Sequence, residues 1–307
     1  MFSTVLKRLT GVQTHRRADQ AVQPGPDFLC IGAPKTGTTW LFEQLSDHPD
    51  FWMPPVKELH GLDFRSMHHS VLPTYEVART NLEALNEKRA AQQLRALTPA
   101  DIQFLEKYLR FVPSLSMRRY AELFAPKNGL MSGDITPAYS ALKRKRIRRI
   151  ATRFPRLKVM FFARDPVDRF WSQYCMRLRH RKAEFTAEVV HVQKLLLTPW
   201  AIQRSFPTRI VRRWRDHFPA DRFQTFFFDD LKSSPARLRQ DILIYLGANP
   251  SKGRDRLPEN FNRKSGEAQP MPRDVERFLT EHFADELRAC AAHLGGPALL
   301  WPAKHGI

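Results

Sequence analysis

Cysteine is scarce. The 307 residues hold three, Cys30, Cys175 and Cys290, far apart and without a C-x-x-C pair. That excludes a disulfide framework and fits a reducing compartment. Cys30 falls in an apolar segment and reads as a small buried hydrophobe. Long apolar runs are missing too. No stretch of 18 apolar residues occurs and mean hydropathy is -0.46, so no membrane-spanning helix is expected. The opening "MFSTVLKRLTGVQTHRRADQAVQPGP" lacks the apolar core and cleavage site of a signal peptide. Residues 1–26 read as a flexible basic leader, and the expected location is cytoplasmic. Internal repeats and low-complexity tracts are absent. His68 and His69 are adjacent and lack zinc-ligand spacing, so no metal is expected. Acidic residues are the last deficit: Asp+Glu 31 against Lys+Arg 50, a formal +19. Such a charge concentrates anionic ligands. Nucleic acid, anionic lipid, acidic polysaccharide and a phosphorylated cofactor all qualify, and charge alone does not choose among them.

What is present is an alternation of strands and helices. "DFLCIG", "GLMSGDITPAY", "LKVMFFARDP" and "RFQTFFFDDL" read as core strands. Helices are predicted over Thr38 to Asp47, "SALKRKRIRRIATRF", Pro166 to His180, "SPARLRQDILIYLG" and, last in the chain, "RDVERFLTEHFADELRACAAHL". "HPDFWMPPVKELHGLDF" is irregular with a short strand. Residues 72–124 are helical in pattern, with caps and breaks at Thr98-Pro99 and Pro113-Ser114. The expected fold class is α/β: a P-loop-type parallel sheet flanked by helices, carrying a helical insertion at about 72–124. Residues 27–307 are expected to form a single domain. In such sheets ligands bind at the carboxyl ends of the strands. Ala33 to Thr39, Thr136 to Tyr139 and Arg164 to Ser172 all fall there.

"GAPKTGTT" resembles a phosphate loop with its lysine displaced. Gly32 and Gly37 keep the G-x-x-x-x-G spacing, but Lys35 sits inside the turn instead of after the second glycine. The glycines let backbone N–H groups point inward, and the following helix adds its positive end. Lys35, Thr36, Gly37, Thr38 and Thr39 are therefore the expected anion cradle. A lysine in the turn suits a ligand shorter than a triphosphate, with less charge to neutralise and no metal required. Asp229 of "TFFFDD" could imitate the magnesium-holding acid of an NTPase, but "DDLKSSP" reads better as a helix cap. In "ARDPVDRFWSQY", Arg164 ends a strand and Ser172 follows two helical turns on. The two can converge on one anion, with Arg164 as bidentate donor. The plainer alternative pairs Arg164 with Asp165 or Asp168.

"APKTGTTWLFEQLSDHP", "KELHGLDF", "GDITPAYSAL", "RDPVDRFWSQY", "FDDLKSSP" and "NRKSGE" occur in the order seen in sulfotransferases. The chain resembles that family from about Phe28 to Pro272. It is most similar to the carbohydrate branch with the heparan sulfate 3-O-sulfotransferases and to their bacterial relatives. The resemblance implies 3′-phosphoadenosine-5′-phosphosulfate (PAPS) as donor and the bisphosphate PAP as product. It places the 5′-phosphosulfate at Lys35 to Thr39 with Trp40, and the 3′-phosphate at Arg164 and Ser172. It also implies a loop of Arg263, Lys264, Ser265 and Gly266 that closes near the 3′-phosphate.

An acceptor hydroxyl or amine needs a base. The resemblance gives that role to Glu58 of "KELHGLDF", while the small-molecule branch would use His60. Two positions apart in an extended segment, both face one side, and Glu58 is preferred. Lys57 is expected to orient donor or base, and Thr136 and Tyr139 to line the acceptor side. Ile135 stands where the 3-O-sulfotransferase pattern carries lysine. "KRKRIRR", Lys143 to Arg149, reads as the solvated face of a helix with Ile147 and Ile150 inward. The expected enzyme is a bacterial, cytoplasmic sulfotransferase acting on a hydroxyl of a carbohydrate, glycolipid or other small acceptor, an acidic carbohydrate among them, with no nucleic-acid partner. The alternatives are a P-loop kinase using ATP-Mg and a non-enzymatic binder of nucleic acid or polyanion.

Overall fold

The computed structural model describes residues 25–63, 75–91, 95–111, 115–180, 186–253 and 269–307. Four strands form one parallel sheet: β1 (Phe28–Cys30), β2 (Gly133–Ile135), β3 (Lys158–Ala163) and β4 (Phe223–Phe227), in the order β2-β1-β3-β4. Leu29 is level with Asp134 on one side and Val159 on the other. The chain leaves β1 for β2 at one flank and then crosses to β3 at the other. The crevice at the carboxyl end of β1 is thus the point where the winding reverses, where such sheets hold ligands.

β1 and most of β3 are apolar because both faces are covered, whereas β2 carries Asp134 at its centre and β4, at the sheet's edge, exposes Gln224. Successive side chains alternate. Leu29, Val159 and Phe161 enter one core, which also takes Ile147, Phe170, Trp214, Leu279 and Phe283 from helices. Phe28, Cys30, Met160, Phe162 and Ile135 enter the other, covered by Trp40, Leu41 and Leu45 of helix Thr38–Ser46 and by Leu238, Ile242 and Leu243 of helix Pro235–Leu246. Gly247, at φ 91°, ends the latter as predicted. All three thiols are free and buried.

The predicted helices form with small shifts. Helix Pro166–His180 has the expected bounds, and the basic segment is helix Arg144–Arg153 with Ile147 and Ile150 buried. In the stretch expected as an insertion, helices run over Leu82–Ala91, Pro99–Phe111 and Met117–Glu122. Thr98 and Asp101 cap the second reciprocally: the Thr98 N–H donates to Asp101 Oδ2 (2.8 Å) and the Asp101 N–H to Thr98 Oγ1 (3.3 Å). Ser116, two residues after the expected break, caps the third. The irregular segment after helix Thr38–Ser46 contributes only a bridge, Phe51 to Met131. Helix Arg273–Leu294 is not the last, because Trp301–Lys304 forms a further turn. Asp229 and Asp230 do not cap. They lie inside the first turn of helix Phe228–Ser233, where a negative charge meets the helix dipole. Among the described residues no helix is long and apolar enough to cross a membrane.

Candidate active site

The loop after β1 is built by backbone. Gly32 has φ 108°, and a Cβ there would sit 2.6 Å from the Pro137 carbonyl oxygen. Only glycine lets the end of β1 approach the segment after β2 so closely. Lys35 (φ 72°) and Gly37 (φ 86°) are also left-handed. Gly37 is the N-cap of helix Thr38–Ser46 and supplies no side-chain acceptor. The first-turn N–H groups, which lack intrahelical partners as at any helix start, receive no side-chain cap and are available to an anion. The Thr36 hydroxyl is not part of the cradle's lining. It is buried and donates to the Ala33 carbonyl (2.7 Å), bracing the turn. Thr38 is buried, Thr39 exposed, and Lys35 half-buried. Trp40 points away, into the core beneath the sheet.

Arg164 follows β3 directly. Its Nη1 donates to the Lys35 carbonyl (2.8 Å), and its guanidinium lies 4.3 Å from the centre of the Phe228 ring. Its Nε is buried and has no partner among the described residues. The alternative pairing with Asp165 or Asp168 is not made, and Asp168 pairs with Lys304 (2.7 Å). Asp165 is occupied by Lys304 (3.1 Å) and His305 (2.7 Å), and its other oxygen accepts the Val167 N–H. Ser172 is half-buried on the second turn of helix Pro166–His180. Arg263, Lys264, Ser265 and Gly266 lie outside the described residues, as do His68 and His69.

The segment carrying the two base candidates is not extended. Glu58 and His60 both have positive φ, 63° and 54°. They still meet, because the bend turns both side chains to one point: His60 Nε2 is 3.7 Å from Glu58 Oε2. Asp63 holds the other ring nitrogen at 2.9 Å. Burial opposes the imidazolium, but the bonds to Asp63 and Glu58 prevail and raise the His60 pKa to about 9. Burial likewise opposes the Glu58 carboxylate, and His60 and Lys57 overcome it, holding its pKa below the ordinary value. At neutral pH the pair is therefore carboxylate and imidazolium, and only Glu58 can accept a proton. Lys57 Nζ reaches both the Thr39 hydroxyl of the cradle (3.1 Å) and Glu58 Oε1 (3.2 Å).

With this geometry, the sulfotransferase family model matches residues 26–250. The chain belongs to the sulfotransferase family. A search of curated proteins finds no match. Among solved structures, a sulfotransferase from Alicyclobacillus acidocaldarius shares the fold with a TM-score of 0.60 and 21% identity, over 90% of this chain and 98% of its own. The sulfotransferase domain of the Synechococcus PCC 7002 olefin synthase matches at 24% identity and TM-score 0.48, covering 85% and 95%. A mouse sulfotransferase complexed with PAP matches at 14% and 0.49, covering 87% and 85%.

This sulfotransferase does not use Thr136 and Tyr139 as the sequence suggests. Both are fully buried. The Thr136 hydroxyl donates to Asp134 Oδ1 (2.6 Å) and the Tyr139 hydroxyl to Asp134 Oδ2 (2.6 Å), so neither lines an acceptor cleft. Asp134 is the residue that sequence reasoning missed. Its carboxylate also accepts from the Tyr120 hydroxyl (2.9 Å) and the Leu59 N–H (3.4 Å), while the Leu62 N–H donates to the Tyr139 oxygen (3.2 Å). Tyr108 donates to the Leu59 carbonyl (3.0 Å), and a Cβ on Gly61 would strike the Tyr120 ring at 2.0 Å. One buried acid thus ties the Glu58–His60 bend to the sheet. The available signal was an acid at the centre of a core strand. Ile135, next to it, points to the opposite face and packs in the core, which explains an apolar residue there.

Proposed function

We propose that this sulfotransferase takes its sulfonyl group from PAPS and passes it to a hydroxyl, less readily an amine, of a carbohydrate, glycolipid or other small acceptor. Lys57 carries this reading: its ammonium links the phosphate-type cradle at Thr39 to the Glu58 carboxylate. A base and an anion cradle joined through one cation suit transfer between a bound phosphosulfate and an attacking hydroxyl.

The residues fit such a donor. The uncapped helix start at Gly37, Lys35 and the hydroxyl of Thr39 would hold the 5′-phosphate. Arg164, with its buried unpartnered Nε, and Ser172 would take the 3′-phosphate. The donor supplies an activated sulfonyl group whose departure leaves negative charge on the phosphate. Lys35 and the cradle N–H groups would stabilise that charge. Glu58, kept ionised by Lys57 and His60, accepts the acceptor's proton. The His60 imidazolium sustains that carboxylate in place of acting as base. The order of the sequence motifs supports an acceptor related to those of the 3-O-sulfotransferase branch, and the three buried thiols support a cytoplasmic, reducing setting. We take residues 27–307 as one domain behind the basic leader.

Thermal shift measurements with PAP, ATP-Mg and DNA test the donor. Stabilisation by PAP is expected, and stabilisation by ATP-Mg alone would overturn PAPS as the donor. A radiolabelled-sulfate transfer screen over sugars and glycolipids then identifies the acceptor.

A further inference from the structure

The two acids that follow Arg164 in the chain are held by a segment far away in sequence. Asp165 Oδ2 receives Lys304 Nζ at 3.1 Å and His305 Nε2 at 2.7 Å, and Asp168 Oδ2 receives the same Lys304 Nζ at 2.7 Å. Asp165 Oδ1 is spent on the first turn of helix Pro166–His180, where it accepts the Val167 N–H (2.9 Å) and the Asp168 N–H (3.4 Å). Both oxygens of this buried carboxylate are thus engaged, and neither meets Arg164.

The segment that supplies these partners is anchored. Trp301 is buried and meets the Phe227 ring edge-on, the centres 6.1 Å apart. Phe227 ends β4, and the next residue, Phe228, carries the Arg164 guanidinium over its ring. The His305 side chain is only 1% exposed. Lys304 and His305 therefore reach the start of helix Pro166–His180 from a fixed turn.

The charges around Arg164 make that contact consequential. Burial holds the Arg164 pKa below its ordinary value, and Asp168, Asp165 and Asp229 lie near enough to offset part of the effect. Burial likewise opposes the Asp165 carboxylate, but His305 and Lys304 overcome it and hold its pKa below the usual range. A carboxylate free to pair with a guanidinium competes with a bound phosphate for the same N–H donors. Without Lys304, Asp168 and one oxygen of Asp165 would become such competitors.

We propose that Lys304 is a positioning residue for the donor's 3′-phosphate: by engaging Asp165 and Asp168, with His305 sharing its hold on Asp165, it keeps both carboxylates off Arg164 and leaves the guanidinium to the phosphate. The inference rests on the reading of Arg164 as a ligand of that phosphate. It gives the turn after Trp301 a part in donor selectivity that acts through other residues.

Calorimetry with PAP and with adenosine 5′-monophosphate, which lacks the 3′-phosphate, reads the contribution of that group as a ratio of affinities. Wild type should favour PAP. Equal affinities would overturn the 3′-phosphate reading of Arg164, and this inference with it. Lys304→Met keeps the stem of a side chain that is 46% exposed, so the variant should fold. It should cut the ratio about tenfold, as weakening of a hydrogen bond between charged groups implies, and leave affinity for the monophosphate unchanged. In an Asp165→Asn/Asp168→Asn background asparagine still caps the helix, and no carboxylate remains to be released. There Lys304→Met should not alter the ratio. A wild-type preference for PAP that survives Lys304→Met in the parent chain overturns the positioning role alone. An equal loss in both backgrounds overturns it too, because Lys304 would then act on the phosphate through its own field.

Discussion

His60 Nε2 and Glu58 Oε2 stand 3.7 Å apart, an imidazolium beside a carboxylate on a bend where both residues have positive φ. Each holds the other's charge. Replacing Glu58 by Gln removes the proton acceptor while keeping size and shape. Turnover should fall about 10²–10⁴-fold, with PAP binding by calorimetry unchanged. His60→Gln should cost far less turnover. It should also move the acid limb of the kcat/KM profile to higher pH, because Glu58 loses a group that holds its pKa down. Equal losses from the two substitutions, without that displacement, would transfer the base role to His60.

The same pair makes stability depend on pH. His60 has its pKa raised in the folded chain from 6.5 to about 9. A raised pKa contributes stability fully below the unfolded value and loses it as pH climbs through the folded one. At ~1.4 kcal/mol per unit, this contribution is on the order of 3 kcal/mol. Denaturant unfolding of wild type and His60→Gln should therefore differ most below pH 6.5. The gap should close towards pH 9 to 10. A gap constant across that range would contradict the protonated state of His60.

Lys35 lies in the turn of the proposed cradle, its carbonyl fastened by Arg164 at 2.8 Å. Lys35→Ala should lower kcat about 10²–10³-fold, as loss of a group aimed at developing charge does. The loss should exceed that from any other single cation in the chain, Lys57 and Arg164 included. Steady-state kinetics across an alanine series decides this, and a larger deficit at Lys57 or Arg164 would relocate the principal charge-stabilising group.

Asp134 accepts from Thr136, Tyr139, Tyr120 and Leu59 inside the core. Asp134→Asn replaces one acceptor oxygen by an amide N–H, so the buried hydroxyls must reorient and some of the four hydrogen bonds are lost. Stability should drop by about 2–4 kcal/mol. Turnover should fall at temperatures where the variant is still folded, because the Glu58–His60 bend loses its anchor. PAP affinity, set at the other loops, should hold. If turnover per folded molecule were unchanged, the network would serve stability alone.

The strands at Phe28 and Lys158 were legible because they are largely apolar runs bounded by turn residues and buried on both faces. The helix from Pro166 to His180 was legible at both ends, since proline starts it and its periodicity is unbroken. The cradle was legible for a related reason. Gly32 and Gly37 are needed wherever a backbone must turn through positive φ at close quarters. Thr136 and Tyr139 were misread because a polar residue at a strand's end can turn outward or inward with the same sequence. Glu58 and His60 converge through a bend that the two-residue spacing does not encode.

By itself the sequence determined the order of strands and helices, the phosphate-type turn with its lysine inside, and the short set of acids and bases available for chemistry. Those follow from local rules of periodicity, turn conformation and side-chain chemistry. Only the tertiary structure decided that Asp134 faces inward to hold the Glu58–His60 bend, and that Arg164 grips the Lys35 carbonyl in preference to Asp165. It also decided that Lys57 joins cradle to carboxylate. Most of those choices join residues distant in the chain, 75 positions for Asp134 with Leu59 and 129 for Arg164 with Lys35. They are settled by which groups remain unsatisfied once the two cores have closed on the sheet.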